Sequence, residues 1–131
     1  IPLNGVVIVS TPQNIALADA QKGIGIFQLP QINVPILGIV ENMAYFTPAE
    51  LPNNKYYIFG KGGAKALAEK LDVPLLGEIP LVQSICEAGD AGRPAVMQDN
   101  TPQALAFMQL ASNVAQQVSL VNANKKQEVL N

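Results

Sequence analysis

The chain has 131 residues, 49% of them apolar and only 14% charged, with a formal net charge of −2, which suits one compact domain with a real core. An ordinary domain carries roughly 25% charged residues, so the deficit points either to strands buried on both faces or to a piece of a larger domain that keeps surface its remainder would cover. No basic cluster exceeds Lys125–Lys126, no apolar run is long enough for a membrane span and no histidine is present, which argues against a nucleic-acid surface, a membrane segment and any histidine-based catalysis or metal ligation.

In chain order, residues 5–9, 36–40 and 73–79 are short apolar runs without polar alternation, as expected of parallel strands covered on both faces. Pro35 and Pro74 sit where a strand starts and a missing N–H is tolerated. Helical patterns lie between the runs. Asn14 is the expected cap of a helix reaching about Gln28. Residues 62–71 form a second helix, entered through Gly60-Lys61-Gly62-Gly63, and Val82 to Ala88 a third, ended by Gly89. Thr101-Pro102 opens a fourth, with the cap at threonine and proline in the first helical position. The polar stretch 121–131 is expected to fray as a tail, which leaves 1–120 as the domain. Strands alternating with helices give an α/β fold with a parallel sheet and flanking helices. One stretch breaks the rhythm. In residues 43–59, Tyr45-Phe46 and Tyr56-Tyr57-Ile58-Phe59 flank a proline-containing turn segment. That pattern predicts a small β-hairpin projecting away from the edge of the sheet.

The Gly60–Ala66 segment is not a phosphate loop, because Lys65 follows Ala64 and precedes Ala66 rather than sitting between glycine and a hydroxyl residue. Its glycines read as a turn into a helix. Gly23-Ile24-Gly25 lacks the third glycine of a dinucleotide fingerprint and falls inside a helix. The single Cys86 reads as a small buried residue on a helix face, and a reducing cytosol is its simplest home. Glu41 ends a strand and is a lone candidate carboxylate with no sequence neighbour to pair with. No residues have metal-ligand spacing, and no catalytic constellation is assigned. Position is more informative. Ligands of an open parallel sheet bind beyond the carboxyl ends of its strands. Thr11-Pro12-Gln13, Asn42-Met43 and Pro80-Leu81 occupy such ends. The amide of Asn42 offers both a donor and an acceptor to a base edge, and a plain turn role for it stands beside that reading.

Several stretches, in order, resemble one known family. They are Val9-Ser10-Thr11-Pro12-Gln13, Asp19 to Gly23, Leu37 to Phe46, Phe59 to Gly63, Leu76 to Leu81 and Gly92-Arg93-Pro94. Together they are similar to the C-terminal half of Mrp/ApbC-type P-loop ATPases, iron–sulfur cluster carriers related to MinD and ParA. The resemblance implies half of a P-loop NTPase fold, ATP and Mg²⁺ in the full-length parent, nucleotide-linked homodimers and client apoproteins. It also implies that Asn42, Pro80 and Leu81 lie around the adenine. The phosphate loop and Walker B aspartate would precede residue 1, so the chain alone is expected to be inactive. Where the family's Cys-x-x-Cys pair belongs, this chain has Thr47 and Glu50, neither a soft ligand for iron. A partitioning ATPase of the MinD/ParA kind and a non-catalytic interaction module are the alternatives.

Overall fold

A computed structural model describes residues 2–131. Three parallel strands, β1 (Val6–Ser10), β2 (Ile36–Glu41) and β3 (Leu75–Glu78), form a sheet in the order β1-β2-β3. Each crossover carries a helix, α1 (Asn14–Phe27) between β1 and β2 and α2 (Gly63–Leu71) between β2 and β3. After β3 come α3 (Gln83–Asp90), one 3₁₀ turn at Ala95–Met97 and α4 (Pro102–Leu130). The expected α/β architecture is therefore present, with strand bounds shifted by one or two residues.

Two apolar cores lie on opposite faces of the sheet. On one face, Ile24 of α1 and Ala64, Leu67 and Ala68 of α2 enclose Ile39, which is fully buried. On the other, Phe107, Leu110 and Val114 of α4 and Ile85 of α3 pack on Val40, Leu76 and Ile79. β2, in the middle, is thus covered on both sides, as its unbroken apolar run requires. β1 departs from that expectation. It pairs only with β2 among the described residues, and Val9 is 61% exposed. α4 lies over β3 and β2 and leaves the corresponding face of β1 largely open.

Several local expectations need correction. The N-cap of α1 is Gln13, and Asn14 is already helical. Gly89 lies inside α3 rather than ending it. Thr101 does cap α4, its Oγ1 accepting from the Ala104 N–H at 3.2 Å. Beyond Val121 the helix does not break but runs on to Leu130. No glycine or proline follows Pro102, and Lys125, Lys126, Gln127 and Glu128 are good helix formers.

The expected hairpin shrinks to a single antiparallel bridge. Phe46 and Tyr56 exchange backbone hydrogen bonds of 2.7 and 2.9 Å. Pro48 and Pro52 lack the N–H groups a longer ladder needs. Nor does the segment project away from the sheet. The Ala44 N–H donates to Ile79 O at 3.0 Å and the Leu81 N–H to Tyr45 O at 2.7 Å, so parallel pairing resumes after a kink at Asn42-Met43. Phe46 bridges Leu81 in parallel, which fastens the foot of the loop to the edge it was expected to avoid.

Candidate functional site

Register decides what meets at the carboxyl end of the sheet. Ser10 pairs with Glu41, and Glu41 with Glu78. Thr11-Pro12, Asn42-Met43 and Ile79-Pro80-Leu81 therefore emerge at one end, since adjacent strands lie about 4.8 Å apart. The Asn42 N–H donates to Ser10 O at 2.8 Å, which ties the β2 exit directly to the β1 exit.

Asn42 is partly buried, and its Oδ1 accepts from the Met43 N–H at 3.0 Å. That bond supports Met43 in a left-handed conformation, φ 54°, which is uncommon for a bulky side chain. The turn role expected of Asn42 is thus present. The carbonyl oxygen is committed to the turn, while the Nδ2 protons have no acceptor among the described residues. Pro80 is buried and Leu81 half-buried. The backbone of Leu81 is committed to the loop, its N–H donating to Tyr45 O and its carbonyl accepting from the Thr47 N–H at 3.4 Å.

The glycine-rich turn before α2 belongs to this end as well, for a reason the sequence did not disclose. Gly60 and Gly62 have φ of 115° and 72°. A Cβ on Gly63 would stand 2.6 Å from Leu17 Cδ1 and 2.9 Å from Pro12 O. The turn lies directly on the β1 exit, so a side chain at Gly63 has no room. This is close packing of backbone on backbone, not a phosphate cradle.

Glu41 is the residue that sequence reasoning placed least well. It is only 2% exposed, and its Oε2 accepts from the Ala64 N–H at 2.9 Å. Helix α2 begins after Gly62, which has no side chain to cap it. A carboxylate 23 positions earlier in the chain supplies the missing acceptor. Burial raises the Glu41 pKa above its ordinary value. The Ala64 hydrogen bond works in the opposite direction, and the nearby Glu78 carboxylate adds to the rise. The available clue was a helix start with no Ser, Thr, Asp or Asn at its cap. Cys86 also differs from expectation. It is exposed on α3, with Sγ 4.0 Å from Asp90 Oδ2 one turn later.

Residues 1–115 match the ParA-type family described as the NUBPL iron-transfer P-loop NTPase. The chain belongs to this family. Among similar NUBPL-type proteins, the iron–sulfur cluster carrier protein of a Synechocystis species is 45% identical over 121 residues, 92% of this chain and 34% of its own length. The iron–sulfur cluster transfer protein NUBPL of Mus musculus is 46% identical over 119 residues, 90% of this chain and 36% of its own length. The NUBPL-type chain thus spans about a third of the length of these curated relatives. Among solved structures, an Archaeoglobus fulgidus nucleotide-binding protein in complex with ADP has a TM-score of 0.60 at 40% identity, over 79% of this chain and 40% of that one. The Pyrococcus horikoshii MinD complexed with Mg-ADP has a TM-score of 0.65 at 24% identity, over 90% and 44% respectively, a likeness of fold.

Proposed function

We propose that this chain contributes the base-binding side of the nucleotide site, and part of a dimer surface, in an ATP-binding protein of the NUBPL/Mrp iron–sulfur carrier kind. The observation that carries the reading is the register at the carboxyl edge, where Asn42, with its amide protons unspent, emerges beside the Ile79–Leu81 segment. The fit to a purine is through donors. Asn42 Nδ2 suits a ring-nitrogen acceptor, while the half-buried Leu81 offers apolar surface backed by the buried Pro80. Nothing among residues 2–131 forms a phosphate cradle, and phosphoryl transfer depends on positioned backbone donors, a lysine and Mg²⁺. The chain alone therefore does not turn over ATP in this reading. ATP and Mg²⁺ belong to the full-length protein, where they supply the phosphoryl group and its charge neutralisation. An iron–sulfur cluster, if it is the cargo, is not held by the 47–50 segment, because Thr47 and Glu50 are poor ligands for iron. The same reading places the protein in a reducing compartment such as the cytoplasm, as a homodimer that meets client apoproteins.

The test uses a protein of the relatives' full length that contains this chain. Asn42→Asp keeps the oxygen that accepts from Met43 and removes the donor. It is expected to weaken ATP binding about tenfold, the loss of one useful hydrogen bond, without shifting the unfolding midpoint. Unchanged ATP affinity would leave Asn42 as a turn residue and remove the base assignment.

A dimer surface makes its own prediction. Val9, 61% exposed, lies on a strand with one edge unpaired among the described residues, and Ile15, 77% exposed, lies in the first turn of α1, and such features favour pairing. Light scattering on a size-exclusion column is expected to give a mass near twice 13.9 kDa at high protein concentration. A monodisperse monomer throughout would reject the dimer surface on this part of the protein.

A further inference from the structure

Beside the carboxyl edge is a cavity of about 360 Å³ that neither Asn42 nor Leu81 lines. Its lining includes Tyr45 and Phe46 at the foot of the loop and Pro48, Pro80 and Pro102. The volume falls within the range of small-molecule sites, roughly 300–1,000 Å³. Aromatic and proline walls lose little conformational freedom when a ligand enters.

The polar floor is specific. Gln103 is only 8% exposed. Its Nε2 donates to Ser84 Oγ and to Gln98 Oε1, both at 2.8 Å. Both amide protons are thereby used, and Oε1 has no protein donor. Yet no buried side-chain oxygen or nitrogen among the described residues lacks a partner. The oxygen therefore keeps some accessible surface, and Gln103 is among the residues that line this cavity. Ser84 also lines it. Because its Oγ accepts from Gln103, its hydroxyl proton is free to donate. A nearly buried acceptor and a hydroxyl donor thus stand side by side among residues that line a partly aromatic cavity. Lys55, whose Nζ lies 4.5 Å from the Tyr45 ring centroid, and Glu50 also line the cavity with opposite charges, so net charge favours neither an anion nor a cation.

We infer that this cavity is a binding site for a small, uncharged aromatic ring carrying a primary carboxamide. The ring packs against Tyr45 and Phe46. The amide N–H donates to Gln103 Oε1, and the amide carbonyl accepts from the Ser84 hydroxyl. The site adjoins the nucleotide edge, sharing Pro80 with it, but its polar groups, Gln103 and Ser84, are not those of the base assignment above.

The experiment is an amide-resolved NMR titration of the full chain with benzamide. Benzamide is expected to bind saturably in the millimolar range, as suits so small a ligand, and to shift the amides of Tyr45, Phe46, Ser84 and Gln103. N,N-dimethylbenzamide, which has no N–H, and benzoate, which is charged, are each expected to bind about fivefold or more weakly. Ala49→Trp, on the exposed part of the loop that lines the cavity, is expected to abolish the shifts while the remaining spectrum stays folded. Shifts at other residues, or none up to tens of millimolar benzamide, would overturn the site. Equal affinity for the dimethyl compound would overturn the carboxamide assignment. Displacement of benzamide by ATP in a protein of the relatives' full length would overturn its standing as a second site and make it part of the nucleotide site.

Discussion

Gly38→Ala is expected to lower stability by about 3 kcal/mol or more, a fall in Tm on the order of 10 °C for a domain of this size. The position is the tightest in the sheet. Gly38 has φ 154°, and a Cβ there would stand 2.6 Å from Pro74 O and 2.6 Å from Leu76 Cγ. The leucine side chain has some freedom to turn aside. The Pro74 carbonyl does not, because it accepts the ladder hydrogen bond from the Ile39 N–H at 2.9 Å. Relief of the clash therefore means breaking the pairing of β2 with β3, the pairing that brings Asn42 beside Pro80. Gly25→Ala is the internal control. Gly25 is helical, with nothing within 4 Å of its would-be Cβ, and alanine there is expected to stabilise by about 0.5–1 kcal/mol. Chemical unfolding followed by circular dichroism measures both. A Gly38→Ala protein as stable as the parent would mean that the close approach of the two strands is not required.

The second large effect is expected at Glu41, where charge and hydrogen bond can be separated. Glu41→Ala removes the side-chain acceptor that the described residues place at the start of α2 and leaves the buried Ala64 N–H without it. The expected loss is about 2 kcal/mol. Glu41→Gln keeps an oxygen for that N–H but does not titrate. The sign of the pH effect follows from the raised pKa of the native carboxyl. A carboxyl whose pKa is higher folded than unfolded binds its proton more tightly in the native state. Its contribution is then fully present below the unfolded value, about 4.3, and is lost as pH rises through the folded value. Relative to Glu41→Gln, the parent should accordingly lose stability as pH is raised from about 4 towards neutrality. Urea midpoints across that range give the difference curve. A flat curve would show that the native carboxyl titrates as it does in the unfolded chain.

Much of the fold was legible because it rests on local patterns. Unbroken apolar runs marked the three strands, and Thr101-Pro102 marked the start of α4. Wherever a distant partner decides the outcome, the sequence was silent. Glu41 looked like a stranded carboxylate because its partner is the backbone of Ala64, which no side-chain pattern records. The glycines at 60, 62 and 63 looked like a loop signal, whereas what excludes a side chain at 63 is the Pro12 carbonyl and Leu17. The 43–59 segment read as an outgrowth because aromatic runs flank a turn. Its docking depends on Leu81, which lies beyond the whole α2–β3 unit. At the candidate edge, the chain positions of Asn42, Pro80 and Leu81 could be read in advance. The polarity of the Asn42 amide could not, because it is set by the backbone conformation of Met43.

The single Phe46–Tyr56 bridge has a consequence for how this surface can diversify. Residues 47–55 are closed at their base by one pair of backbone hydrogen bonds, while Phe46 is itself held by Leu81. Lengthening a flexible closed segment is cheap, about 0.6 kcal/mol for each doubling. The tip can therefore change in length and composition, or acquire new ligands, while its socket stays in place. Because that socket is built from the same strand exit as the proposed nucleotide edge, any graft enters already indexed to it. The arrangement is a mounting point, with interchangeable chemistry on a fixed thread.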